Sequence, residues 1–221
     1  MKDFAGDFET HLTVMPSRLG DAAGTREDDE AIRLWATRHE MKYTRILLER
    51  GDTPDQPMLT YRGKGTLTAQ RGQARTWASR LHREGLSVAR VKIEASPWNA
   101  DVPQSSEEAA ALPPYCYFEH HVKLVLAGAA QVEAVRELSG RHDGHLSWNA
   151  RRVLSDGRHE RFVTQRRRGV GRPEARRGLD TLLNELAAGG HPPVDVEEEF
   201  VVHDDNPTVD AGWADGQDTD A

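Results

Sequence analysis

Two short segments of the chain place acidic and imidazole side chains at alternate positions. Residues two apart on a β-strand project from the same face of the sheet, so the charged groups of each segment share one surface. A carboxylate beside an imidazole is suited to acid–base catalysis or to binding a divalent metal ion. The groups concerned are Glu9 and His11 in the first segment, and Glu119, His121 and Lys123 in the second.

A motif of arginine and glycine also occurs twice, each time after a strand-like run and before a helix-like one. Two glycines at such a junction let successive backbone N–H groups face one point, where the helix N-terminus adds partial positive charge. Arginine can bind a phosphate or carboxylate through two parallel hydrogen bonds. The motifs therefore predict an anion site formed by Arg62, Gly63, Lys64 and Gly65 in the first copy and by Arg168, Gly169, Gly171 and Arg172 in the second.

Both features also have a structural interpretation that needs no ligand. A strand with one face in water shows the same alternation of charged and apolar side chains. Glycines at a strand end can serve only to allow a positive φ angle, with solvated arginines beside them. The sequence alone leaves these alternatives open.

The paired motifs belong to a longer internal repeat. Segment 8–14 recurs as segment 118–124, and segment 91–94 recurs as segment 194–197, in the same order along the chain. Within each copy the hydrophobic periodicity changes between that of a strand and that of a helix in the order βαββαβ. This order resembles the ferredoxin-like fold, a four-stranded antiparallel sheet with both helices on one face.

We therefore predict an α+β fold: a tandem duplication of a ferredoxin-like βαββαβ unit, with two antiparallel sheets that carry helices on their outer faces. If the apolar side chains lie under the helices, the charged faces of both sheets meet in one space. An acidic tail short of apolar residues is expected to be loosely held. The predicted boundaries are 1–95 for the first repeat, 96–115 for a connector rich in Pro, Ser and Glu, 116–203 for the second repeat and 204–221 for the tail.

Composition and charge disfavour several classes of function. The 221 residues include 29 Lys and Arg and 36 Asp and Glu, for a formal net charge of −7. Such a charge disfavours nucleic-acid binding through phosphates. No apolar run reaches the length of a signal peptide or a membrane span, so we expect a cytoplasmic protein without a membrane partner. The one cysteine, Cys116, lies between two tyrosines and is expected to be a buried thiol.

The leading prediction is a binding protein for a small anionic ligand, phosphorylated or carboxylated, at the interface of the two repeats. No cofactor is expected for that function. The arginines concentrated between Arg136 and Arg177 could bind such an anion, or they could pair with the acidic tail. One alternative is a protein-interaction module, in which the tail, the basic surface or exposed sheet edges recruit a protein partner.

A metal-dependent phosphohydrolase is a further alternative. Glu9, Glu119, Glu197 or Glu199 would then hold a divalent cation while arginines neutralise phosphate. The segment Glu119-x-His121-x-Lys123 is similar to the Glu-x-Glu-x-Lys strand of the CYTH phosphatases, with histidine in place of the middle glutamate. That resemblance implies metal-assisted phosphate chemistry inside a duplicated sheet tunnel.

Overall fold

The computed structural model describes residues 3–16, 26–152, 154 and 157–214. In this part of the chain the order strand, helix, strand, strand, helix, strand occurs twice, with one short helix between the copies. The strands are β1 (Ala5–Pro16), β2 (Lys42–Leu48), β3 (Asp55–Thr66), β4 (Leu86–Ala95), β5 (Tyr117–Leu126), β6 (Gly144–Asn149), β7 (His159–Arg168) and β8 (Asp195–Asp204). The helices are α1 (Arg26–Arg38), α2 (Leu67–Arg83), α3 (Ser106–Ala110), α4 (Ala129–Gly140) and α5 (Arg172–Ala188), and a 3-10 turn spans Pro207–Asp210.

The predicted duplication of a βαββαβ unit is confirmed. Each copy forms an antiparallel four-stranded sheet, β4-β1-β3-β2 in the first and β8-β5-β7-β6 in the second. The two sheets are also joined at both edges, where β2 pairs with β6 and β4 with β8, so the eight described strands form one closed barrel. Closure pairs every edge strand. The exposed sheet edges considered for partner recruitment are therefore absent from the described residues.

Alternation along the strands separates an apolar, helix-covered face from a polar inner face. On β1, Leu12 and Val14 pack with Ile32 and Trp35 of α1. The matching set in the second copy consists of Val122 and Leu124 of β5, Val135 of α4 and Leu179 of α5. Burial of these side chains fixes the strand register, because a shift by one residue would turn them toward the inside of the barrel.

A third apolar cluster joins the two copies. The rings of Phe118 on β5 and Phe200 on β8 lie 4.6 Å apart, and Phe4 lies 5.9 Å from Phe200. Ile93 of β4 belongs to the same cluster. Cys116 is buried there, as predicted, and burial raises the pKa of its thiol to about 12. The two copies therefore share part of their apolar core.

The connector contains a short helix that the sequence analysis missed. Residues 96–115 are predicted to be extended, but α3 forms within them. The Ser105 hydroxyl caps α3 by accepting a hydrogen bond from Glu108 N at 3.2 Å. A serine followed three residues later by glutamate is a signal for a helix start, and the surrounding prolines masked it. Neither α3 nor any other helix in the described ranges is long and apolar enough to cross a membrane.

The start of the acidic tail packs on the barrel. Val209 and Trp213 are buried. The Trp213 indole N–H donates to Leu146 O at 3.0 Å, and the Gln56 amide donates to Val209 O at 3.1 Å. The expectation of a loosely held tail is wrong for residues 204–214, because two apolar side chains and the ion pairs of Asp210 anchor this stretch. Residues 215–221 lie outside the described part of the chain.

Leu59 on β3 tests the core under the helices of the first copy. Leu59→Ala removes a fully buried side chain and is expected to lower the free energy of unfolding by about 3 kcal/mol, because a cavity remains. Leu34→Ala is the matched control, since Leu34 is 50% exposed and its truncation should cost less than about 0.5 kcal/mol. Urea unfolding measures both losses, and equal losses would contradict the assigned core.

Candidate functional site

The inner faces of the strands enclose a polar cavity of about 350 Å³, here named the lumen. Its lining includes the five charged residues predicted from the strand segments, which are Glu9, His11, Glu119, His121 and Lys123. Their strands β1 and β5 come close because only β4 and β8 separate them on that side of the barrel. Barrel closure therefore places acid–base groups of both copies in one space.

Each of the two lumen histidines on β1 and β5 is held by a threonine on the neighbouring strand. His11 Nδ1 lies 2.8 Å from Thr60 Oγ1, and His121 Nδ1 lies 3.0 Å from Thr164 Oγ1. Because Nδ1 is occupied in both rings, Nε2 is left for the carboxylates of the lumen. His11 Nε2 lies 2.7 Å from Glu94 Oε2.

Six side chains in and beside the lumen form two clusters that the duplication relates. In each cluster, two carboxylates and one imidazole bring ligand atoms within 4.8 Å of one another. Glu9 faces Glu94 across the β1–β4 ladder, and Glu119 faces Glu199 across the β5–β8 ladder, so Glu94 and Glu199 are counterparts. The predicted match of segment 91–94 with segment 194–197 is therefore wrong by two residues. The first cluster is Glu9, His11 and Glu199, and the second cluster is Glu119, His121 and Glu94.

The second cluster contains its own counterions. Lys92 contacts Glu119 and lies 2.7 Å from Glu94 Oε1. Arg166 donates from Nε to the same Glu119 carboxylate at 2.7 Å. Both cations are largely buried. The negative charge of this cluster is therefore balanced from within the protein.

Among the described residues, no buried Lys or Arg pairs with the carboxylates of the first cluster. Arg62 donates from Nε to Glu9 Oε2 at 2.7 Å, but the Arg62 side chain is 79% exposed. Among the described residues, Glu199 forms an ion pair only with His121, at 3.4 Å. The first cluster thus presents carboxylates that the protein balances less completely.

The clusters differ in the burial of the counterparts Arg62 and Arg166, and also in residue type at one pair of strand positions. Lys92 faces His11 across the β1–β4 ladder. At the corresponding place in the second copy, Glu197 faces His121 across the β5–β8 ladder. One copy of the repeat supplies a cation where the other supplies an anion.

Counterions keep the second cluster ionised. Burial would raise the pKa of Glu119, but Lys92 and Arg166 hold it well below its usual range. Burial would lower the pKa of Lys92, but Glu119 and Glu94 hold it well above its usual range. These groups are therefore charged at neutral pH and neutralise one another.

The groups around the first cluster have a different electrostatic environment. Burial, followed by repulsion from Glu94, raises the pKa of Glu199 to about 7. Burial would lower the pKa of His11, but its contact with Glu94 raises it. Burial would also lower the pKa of His121, but its hydrogen bonds to Glu119 and Glu199 raise it to about 10. The His121 imidazolium, 3.4 Å from Glu199, therefore offsets the burial of Glu199 and its repulsion from Glu94 only in part, and a further cation would complete the neutralisation.

The start of the tail forms a wall between two cavities. Asp210 lies 2.9 Å from Arg90 Nη1 and 2.6 Å from Arg166 Nη2. Burial would raise the pKa of Asp210, but Arg166 and Arg90 lower it to about 2. Asp210 and Trp213 line both the lumen and a second cavity of about 930 Å³, here named the outer cleft. Of the arginines in the range 136–177, Arg166 is the one that pairs with a described residue of the tail.

The first glycine motif lies in a strand instead of a turn. Gly63 and Gly65 belong to β3 and pair with β1, so their backbone is part of the sheet ladder. Gly65 has a φ of 125°, which a residue with a side chain rarely adopts. Lys64 pairs with Asp7 at 2.9 Å on the surface. The backbone turn expected to bind an anion is not formed here, because the strand runs through both glycines.

The second glycine motif lies at the end of β7, where its members have different surroundings. Arg168 lines the outer cleft, whereas Arg172 lies over the Trp98 ring with 4.4 Å between guanidinium and centroid. Gly169 has a φ of 65°. Gly171 lies against the connector, where an added Cβ would come within 2.4 Å of backbone atoms. The close approach of two chain segments explains the glycine at position 171.

The two motifs do not line a common cavity. Strand register explains this, because Arg62 faces Glu9 as Arg166 faces Glu119. Arg166, and not Arg168, is therefore the structural counterpart of Arg62. The predicted match of Arg62 with Arg168 is therefore wrong by two residues. The structure does not bring Arg62 and Arg168 together in one site.

Several charged residues of the site received no role in the sequence analysis. Lys92 and Glu94 occupy alternate positions of β4, so the periodicity that identified Glu9 could have identified them. Arg166 alternates with Arg168 on β7 in the same way. Asp210 comes from the tail, where no periodic pattern marks it.

The comparisons with known proteins give no information on the chemistry of the site. No protein-family model and no curated protein matches the chain. Sixteen chains of solved structures match it. One of them, a crystal structure provisionally named as a chlorite dismutase, is 12% identical over 93% of this chain and 97% of its own, with a TM-score of 0.29. A similarity of that size does not bear on the function of this chain.

Asp210→Asn tests the attachment of the tail. Removal of a carboxylate shared by two buried arginines is expected to cost about 3 kcal/mol of unfolding free energy at pH 7. The folded-state pKa of Asp210 is about 2. Its contribution is therefore present above the unfolded pKa of about 4 and is lost as the pH falls toward the folded pKa. The difference between variant and wild type should be constant from about pH 5 to 8 and should shrink below about pH 4.

Asp7→Asn is the matched control for this experiment, because the Asp7–Lys64 pair is exposed and its loss should change stability little. Denaturant unfolding at several pH values measures both variants. A loss in the Asp210 variant that persists unchanged at low pH, or no loss at all, would contradict the assigned contacts.

Proposed function

We propose that the lumen binds a divalent metal ion at the first cluster and, through that ion, a small anionic ligand. The observation that carries the proposal is the contrast between two clusters related by duplication. The second cluster holds a buried lysine and a buried arginine, whereas in the described part of the chain the first cluster brings together two carboxylates and an imidazole without either. A divalent cation at the first cluster would supply the charge that Lys92 supplies at the second.

The donor set of the first cluster would fit such an ion, which would take the place of Glu94 Oε2, now 2.7 Å from His11 Nε2. Glu9 Oε1 lies 3.9 Å from His11 Nε2, and two ligands of one ion at about 2.1 Å each are separated by no more than about 4.2 Å. Thr60 engages His11 Nδ1, as an outer partner that orients a ligating imidazole does. A mixture of imidazole and carboxylate suits Mn²⁺, Fe²⁺ or Zn²⁺.

The anionic ligand predicted from the sequence is kept in this proposal, but its location differs. Three protein ligands leave coordination positions for a further group. A lumen of about 350 Å³ lies at the small end of ligand pockets, which favours a compact phosphorylated or carboxylated compound. Lys123 lines the same cavity and pairs with Glu160 at 3.1 Å. The glycine motifs take no part, because the first is part of strand β3 and no residue of either motif lines the lumen.

Hydrolysis of a phosphate ester is the reaction that this arrangement would support. When bound, a divalent ion would act as a Lewis acid toward a phosphoryl oxygen. The residues of this chain would hold the ion through Glu9, His11 and Glu199, and the imidazole of His121 beside Glu199 would be placed to transfer a proton. The cytoplasmic location and a protein partner stay predictions of the sequence.

Glu199→Gln tests the metal site. The raised pKa of Glu199 means that its neutral form is well tolerated, so the substitution should leave the fold intact while it removes an anionic ligand. Wild type is expected to bind one Mn²⁺ per chain in isothermal titration, and the variant should bind at least about tenfold more weakly. Thermal unfolding of both proteins without metal checks that the fold is unchanged.

Asp195→Asn is the matched control, because Asp195 lies in the lumen on the same strand but outside both clusters. Its Mn²⁺ affinity should stay within about twofold of wild type. No Mn²⁺ binding by wild type, or an equal loss in both variants, would contradict the metal site.

The ligand is tested by titrating inorganic phosphate and pyrophosphate with and without Mn²⁺. Mn²⁺ should create a phosphate site that Glu199→Gln lacks, and its failure to do so would contradict the anionic ligand alone.

A further inference from the structure

The outer cleft lies outside the lumen, beyond the wall formed by the start of the tail. Its volume is about 930 Å³, near the upper end of pockets that bind small molecules. Its charged lining consists of Arg50, Arg136, Arg166, Arg167 and Arg168, with Glu49, Glu137, Asp143, Asp204 and Asp210. Because the lining has five arginines and five carboxylates, the charge available to a ligand depends on which of these groups are paired.

Most of the carboxylates in the outer cleft are already paired. Arg136 lies 2.5 Å from Glu49, and Arg167 lies 3.7 Å from Asp143. Asp210 pairs with Arg166, as described above. Asp204 faces away from the cleft cations, since its partner at 2.5 Å is Arg90.

Two arginines of the cleft are left without a carboxylate among the described residues. Arg50 donates to Trp213 O at 3.5 Å, and Arg168 donates to Pro114 O at 3.2 Å. Each contact uses one N–H group, and a guanidinium has five. Glu137 is the one cleft carboxylate that forms no ion pair with a Lys or Arg among the described residues, although its charge acts on Arg136. Unpaired positive charge therefore exceeds unpaired negative charge in the cleft.

Aromatic rings fix the position of the cleft arginines. The Arg168 guanidinium lies 4.1 Å from the centroid of Tyr117, a buried ring. Arg166 lies 5.3 Å from the same ring and 5.3 Å from the ring of Trp213. A guanidinium stacked on a ring keeps its N–H groups available at its edge, where they can bind an oxyanion with two parallel hydrogen bonds.

The cleft also offers surface for a planar group. His145 is half-buried and lines the cavity, and its ring packs on the buried Trp213 ring at 5.6 Å. Tyr115 and Leu146 add apolar lining. Such a surface binds an aromatic or heteroaromatic ring by stacking and burial.

We propose that the outer cleft is a second ligand site that binds a small phosphorylated compound with a planar ring, such as a nucleoside monophosphate. The phosphate would contact Arg168 and Arg50, and the ring would lie against His145 and Tyr115. This site is separate from the metal site of the lumen, and neither proposal depends on the other.

The test is isothermal titration of the full chain with AMP in the presence of EDTA, so that the metal site of the lumen cannot contribute. Wild type should bind AMP, and at least about tenfold more tightly than inorganic phosphate, because the ring adds contacts. Arg168→Gln should weaken AMP binding by at least about tenfold. Arg50→Gln provides a second variant with the same expected direction. Glu199→Gln should leave the AMP affinity unchanged, which separates this site from the lumen.

Arg172→Gln is the matched control, because Arg172 also stacks on an aromatic ring but lies outside the cleft. Its AMP affinity should remain within about twofold of wild type. The side chains of Arg168 and Arg172 are at least partly exposed, so their substitution should leave the fold intact. Thermal unfolding verifies that each variant is folded. No AMP binding by wild type, equal affinity for AMP and phosphate, or an equal loss in Arg168→Gln and Arg172→Gln would overturn the proposal.

Discussion

Neutralisation of charge inside the barrel is the constraint on which the rest of this structure depends. Closing the sheets of both copies turns their polar faces toward one small space, and an ionised group placed there is costly unless it has a partner. Lys92 and Arg166 neutralise Glu119 from the strands. The tail contributes Asp210 to Arg90 and Arg166. The tail is therefore held by the charge requirement of the barrel as well as by its two apolar side chains.

Duplication makes the charge distribution informative, because each residue of one copy can be compared with its counterpart in the other. The two clusters have the same composition, and both histidines are oriented by threonine. Yet Lys92 beside one copy is replaced by Glu197 beside the other. Replacing a lysine by a glutamate adds negative charge to the lumen, so neutralisation within the protein does not explain the difference. A site that accepts a cation from outside accounts for it, and this is why the proposed metal site is placed at the first cluster.

The sequence predicted the repeat, the order of the elements and five of the charged residues that line the lumen, because all of these follow from periodicity along single strands. Barrel closure was not predictable in the same way, since the β2–β6 and β4–β8 pairings depend on how two sheets meet. The glycine motifs misled for a related reason. Arg62 and Arg168 look equivalent in sequence, but the strand register makes Arg166 the structural counterpart of Arg62. The role of Asp210 could not be predicted, because it depends on how the tail packs against Arg90 and Arg166.

The most direct measurement of the central claim is anomalous X-ray scattering from a crystal of the full chain grown or soaked with Mn²⁺. The account predicts a peak coordinated by Glu9, His11 and Glu199, with no peak between Glu119 and Glu94, where Lys92 already lies. A peak at the second cluster, or Mn²⁺ bound only at the protein surface, would contradict the account.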